Sequence, residues 1–150
     1  MNFKKYIGIP FKNHGRDMNG VDCYGIVVMI YRDHLGIDLP DTDTYQVPSP
    51  NYLNCFDKPT VGNTKEVTIR MSEFFKLWTP VDTPQKYDVI TFCIPGACAA
   101  DGSPTHVGMY VGDGKFIHSM IKVAVSIQHF ERWKQFVHGI YRYKGLELDG

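Results

Sequence analysis

Three side chains in this 150-residue chain have the types and placing that thiol hydrolysis demands. Cys23 lies in Gly20-Val21-Asp22-Cys23-Tyr24-Gly25, directly before a strongly apolar run. His106 opens His106-Val107-Gly108-Met109-Tyr110-Val111-Gly112, and His118 follows twelve residues later. In such chemistry a thiolate attacks a carbonyl carbon, an imidazole takes and returns the proton, and a third polar group orients that imidazole. A cysteine that starts a helix suits the first role. The first N–H groups of a helix lack internal partners and carry partial positive charge, which favours thiolate over thiol. The same N–H groups, that of Cys23 included, can hold the oxyanion of a tetrahedral intermediate. Gly25 is expected to keep the first turn open to a substrate. Taken alone, Cys23 also reads as a small buried hydrophobe; the histidines set it apart.

The stretch Gly112-Asp113-Gly114 joins two strand-like runs and invites a hairpin. A three-residue loop centred on Asp113, with Gly114 left-handed, sets Gly108 opposite His118 and His106 opposite Met120. The two histidines then share a face as diagonal neighbours within side-chain reach. A two-residue Asp113-Gly114 turn would send them to opposite faces. His14, nine residues before Cys23, is placed to border the same cleft.

These groups need elements to hold them. Residues 23–35 are rich in β-branched side chains, which argues for a strand, yet the run is long for one. Its ends favour a helix: Asp22 is a fair N-cap, Arg32 and His34 fall in the last turn, and Gly36 suits the left-handed position beyond it. The helix is apolar on nearly all sides and therefore central. Before it, residues 1–22 look irregular, punctuated by Gly8, Pro10, Gly15 and Gly20. After it come a long proline-rich loop over 40–63, a second helix within 64–77 and a breaker at 80–84. Strands are expected at 88–93, 106–112, 115–119, 123–128 and 139–143, with a short helical turn at 131–134. Helices first and an antiparallel sheet afterwards indicate an α+β fold, taken here as a single domain over 1–150.

Composition narrows the function classes. A 43% hydrophobic chain of this length supports one well-packed core. Sixteen basic and sixteen acidic residues cancel, and no Lys/Arg run is longer than Lys4-Lys5, so no nucleic-acid partner is expected. No apolar stretch is long enough to span a membrane. The segment after Lys4-Lys5 lacks the apolar core of a secretory leader, so a complete chain would be made, and stay, in a cytoplasm unless delivered elsewhere. Cys23, Cys55, Cys93 and Cys98 are therefore expected as reduced thiols. Cys93 and Cys98 have half-site spacing for zinc, but no second Cys or His pair completes it, so no metal is expected.

The surroundings of Cys23, Gly15-Arg16-Asp17-Met18-Asn19-Gly20-Val21-Asp22-Cys23-Tyr24-Gly25, resemble the nucleophile motif of the NlpC-type cell-wall peptidases, small papain-like cysteine enzymes. Leu35-Gly36-Ile37-Asp38-Leu39-Pro40, Tyr87-Asp88-Val89-Ile90-Thr91-Phe92, the His106 segment and Phe116-Ile117-His118-Ser119 follow in family order. The resemblance implies a papain-like fold whose central helix bears the nucleophile and packs on the antiparallel sheet. It makes Cys23 the nucleophile, His106 the general base and acid, and His118 the residue that orients His106, with no cofactor. It implies a peptidoglycan stem peptide as substrate, cut between γ-D-glutamate and the following diamino acid. Phe11, His14, Asp22 and Tyr24 are the candidates to contact that substrate. Two positions depart from the pattern. The family often has serine where Tyr24 stands, and a tyrosine that assists the oxyanion where Phe11 stands. An aromatic after the cysteine, with the Gly-Arg-Asp approach, is similar to the phage-tail members, which implies phage tail proteins as partners. The alternatives are a tail structural module with weak or no hydrolysis, and a thiol amidase or acyltransferase.

Overall fold

The computed structural model describes residues 2–40, 76–94 and 106–147. The chain starts with a 3₁₀ turn, Lys4–Tyr6, and continues into a hairpin of two short strands, β1 (Arg16–Asp17) and β2 (Gly20–Val21). Helix α1 (Cys23–Ile30) follows at once and passes into a π-helical turn, Tyr31–Leu35. Gly36 closes it in the left-handed conformation, φ 65°, its N–H bonded to the carbonyls of Tyr31 and Arg32. Every residue of α1 is buried. Burial explains why a segment rich in β-branched residues is helical: packing on all sides outweighs local propensity.

A six-stranded antiparallel sheet supplies the other layer, in the order β3 (Trp78–Pro80), β8 (Val137–Tyr143), β4 (Val89–Phe92), β5 (His106–Gly112), β6 (Lys115–Met120), β7 (Ala124–His129). Five of these strands fall where the sequence places them, and β3 is additional. A short helix, α2 (Phe130–Trp133), and a 3₁₀ turn, Lys134–Phe136, connect β7 to β8. Of the helix expected within 64–77, only Lys76 and Leu77 are described, and both are helical. The proline-rich loop over 41–63 lies outside the described residues.

Helix α1 packs against β5 and β6. Strand alternation divides the apolar residues into two cores. Val107, Met109 and Ile117 join α1, Val21 and Trp78 in the larger one. Phe92, Phe116, Phe130 and Ile140 form the smaller, with Trp133 and Phe136 against it. The N-terminal segment covers the outer strand, where Gly8 N–H donates to Val125 O and Val125 N–H to Ile9 O, both at 2.9 Å. No helix among the described residues is long and apolar enough to cross a membrane.

Candidate active site

Cys23 is the first residue of α1, and the turn before it is fastened by one carboxylate. Asp22 accepts from the N–H of Gly25 at 2.7 Å, which caps the helix, and from the N–H of His14 at 2.9 Å. The Arg16 guanidinium pairs with the same carboxylate at 2.7 Å and also donates to the Gly15 carbonyl at 2.8 Å. Asp22 is 1% exposed. With three donors from its own chain it fixes the loop that leads into Cys23. Gly25 has a different reason from the one expected. A Cβ there would fall on the Gly15 carbonyl oxygen and crowd Arg16, so glycine makes room for the chain's own loop.

Tyr24 is also held by its own chain. It is 2% exposed, and its hydroxyl donates to the Pro40 carbonyl at 2.6 Å while Arg16 lies over its ring. Its bulk is absorbed by the core. Phe11 is half-buried and forms a parallel bridge with Val21, two residues before Cys23. His14 is exposed in a left-handed conformation, φ 61°. Among the groups near Cys23, these two remain at the surface of the site.

The histidines come from the β5–β6 hairpin. His106 Nε2 and His118 Nδ1 are 2.8 Å apart, with ring centroids at 5.0 Å and planes at 73°. The loop that achieves this differs from both simple cases. Asp113 and Gly114 are both left-handed, φ 54° and 73°, and Gly112 pairs with Lys115, so the turn has two residues. A register shift between Tyr110 and Gly112 then leaves Tyr110 opposite Phe116 and Met109 opposite Ile117. One residue is bulged out on β5, which restores the same-face placement that a bare two-residue turn would forbid.

Both imidazoles are buried, His106 fully and His118 at 1% exposure. Burial, with His118 beside it, holds the pKa of His106 well below the usual histidine range. Burial alone pushes that of His118 down to about 4. Two contacts went unseen in the sequence. Ser119 Oγ donates to Val21 O at 2.9 Å, tying β6, one residue past His118, to the turn that leads into Cys23. The Trp133 ring stands edge-on to His118 at 5.0 Å and 82°. Both follow from tertiary pairing, and no local pattern announces either. Cys93 is half-buried at the end of β4, and Cys98 lies outside the described residues. Among the described residues no group of three or more His, Cys, Asp or Glu is arranged to hold a metal.

Comparison with known proteins agrees with this geometry. The chain is 25% identical over 153 residues to a gamma-DL-glutamyl hydrolase of Bacillus subtilis (strain 168), across 97% of this chain and 29% of that protein. It thus spans less than a third of the relative's length. A solved NlpC/P60 family protein of Bacillus cereus ATCC 10987 superposes with a TM-score of 0.61 at 26% identity, over 93% of this chain and 37% of the other. The NlpC/p60 domain of the peptidoglycan hydrolase SagA gives a TM-score of 0.56 at 19% identity, over 93% and 91%. These neighbours share the papain-like α+β fold, a helix packed on an antiparallel sheet. The profile of the NlpC/P60 family matches residues 8–142, and the chain belongs to that family.

Proposed function

We propose that the protein is a cysteine peptidase that hydrolyses an amide bond in peptidoglycan stem peptides, between γ-D-glutamate and the diamino acid that follows. The observation that carries this reading is the 2.8 Å contact between His106 Nε2 and His118 Nδ1, on a hairpin packed against the helix that Cys23 begins. With His118 neutral, its Nδ1 accepts from the Nε2–H of His106, which leaves Nδ1 of His106 as the basic nitrogen. That nitrogen takes the Cys23 proton, the thiolate adds to the carbonyl, and N–H groups at the start of α1 hold the oxyanion. His106 then protonates the leaving amine, and water, activated by His106, releases the acyl group. This needs no cofactor.

The substrate class is supported by relatives named as a gamma-DL-glutamyl hydrolase and a peptidoglycan hydrolase. The Gly15-Arg16-Asp17 approach and Tyr24 support delivery by a phage tail, with the protein made in the host cytoplasm and tail proteins as partners. Cys23→Ala is expected to abolish peptide release from purified sacculi while the protein stays folded. Mass spectrometry of the wild-type products should show the γ-D-glutamyl cut. Release that persists without Cys23 would refute the mechanism, and an inert wild type would favour a structural tail module.

A further inference from the structure

Three aromatic rings pack on the hydrogen-bonded histidines and make with them a cluster of five. Phe92 lies 5.6 Å from His106, Phe116 4.9 Å from His118 and Trp133 5.0 Å from His118. The apolar three also meet one another: Phe92 with Phe116 at 5.1 Å, Phe116 with Trp133 at 5.6 Å, and Phe92 with Trp133 at 6.0 Å. Four of the five rings stand on β4, β5 and β6. Trp133 alone among them comes from outside the sheet, on α2, and it is half-buried. It is the outer wall of the cluster.

We propose that Trp133 is a positioning residue whose indole closes this cluster over the His106–His118 hydrogen bond, excluding water and keeping His118 an acceptor for the N–H of His106. The inference rests on the Cys23, His106 and His118 reading above. An imidazolium has two N–H donors and no acceptor, so a charged His118 could not hold His106 in the orientation that catalysis needs. The surroundings of His118 fit a neutral ring. On β5 the titratable neighbour is His106, and from β7 its register partner is the uncharged Ser126. The charges of α2 point outward: Glu131 and Arg132 are exposed, and Glu131 approaches Lys134 at 3.9 Å. Burial is therefore what keeps the proton off His118, and Trp133 supplies part of that burial.

The sign of the effect follows. Opening the cluster eases the desolvation that disfavours the charged ring, so the pKa of His118 rises from about 4 toward 6.5. His118 then charges at a higher pH, and the acid limb of the rate profile moves up with it. In Trp133→Ala that limb is expected to shift by about one pH unit or more, with kcat near pH 4.5 falling roughly threefold or more and KM little changed. Trp133→Phe keeps a ring and should restore most of the difference; activity at pH 8 should stay close to wild type in both.

The test combines the pH dependence of kcat and KM on a stem-peptide substrate with an NMR titration of the His118 ring. Circular dichroism checks the fold. If Trp133→Ala does not fold, Trp133→Leu, apolar but without the edge-on ring, decides the question by the same two measurements. A folded ring-less variant whose His118 titration and acid limb both match wild type overturns the proposal. Should wild type show no hydrolysis dependent on Cys23, the catalytic reading fails, and the titration still decides whether Trp133 controls the charge of His118.

Discussion

At the scale of single residues, Asp22 organises the loop that leads into Cys23. Its carboxylate caps α1, holds the His14 backbone and pairs with Arg16, all just before Cys23. Asp22→Ala removes a cap, worth about 1 kcal/mol, and takes the paired carboxylate away from a guanidinium that is largely buried. The loss of unfolding free energy is expected at roughly 2–4 kcal/mol, below the full cost of breaking a deeply buried pair because Arg16 keeps some solvent. Asp22→Asn should lose less, since an amide oxygen can still accept from Gly25. Urea unfolding at pH 7 measures both. If Asp22→Ala is as stable as wild type, the carboxylate does not hold the loop. The residue types at the site were legible in the sequence, but their partners were not. Asp22 was visible as a cap because capping is local, whereas Arg16 lies six residues away and reaches it only through the β1–β2 hairpin.

The β5–β6 hairpin shows the same limit among elements. Its strands were legible from alternation, and the contact between the histidines from counting along a hairpin. The counting assumed a three-residue loop, whereas the chain uses a two-residue turn and a shift between Tyr110 and Gly112. Local sequence does not reveal a bulge, because which residue is extruded depends on how Val107, Met109 and Ile117 pack against α1. The two routes to one register make a testable difference. Deleting Val111 lets Gly112 follow Tyr110 directly, so His106 and His118 stay juxtaposed, and activity is expected within about tenfold of wild type. One alanine inserted between Val107 and Gly108 moves His106 to the opposite face and should abolish activity. Equal activity in the two variants would mean that the ladder does not set the histidine geometry. The β3 strand escaped sequence reading for a related reason. Trp78–Pro80 has only three residues and one proline, and its identity comes from pairing with β8.

Across the whole molecule, the dry environment that suits the histidines costs stability in acid. The folded protein binds a proton at His118 only near pH 4, whereas the unfolded chain binds it near the ordinary value of 6.5. A depressed folded-state pKa contributes its stability above the unfolded value, and that stability is lost as pH falls between the two. Over the window from about 6.5 to about 4 the loss reaches roughly 3 kcal/mol, at 1.36 kcal/mol per unit. His106, also depressed, acts in the same direction. Against a total of about 5–15 kcal/mol for a domain of this kind, that is a large share. In water His118 would charge as pH falls below about 6.5 and stop accepting from His106. His118→Gln separates the two demands: it keeps an acceptor for His106 and removes the titration. Urea unfolding at pH 7 and pH 4.5 should then show the variant losing less stability on acidification than wild type, by about 2 kcal/mol or more. Equal losses would assign the acid sensitivity to other groups.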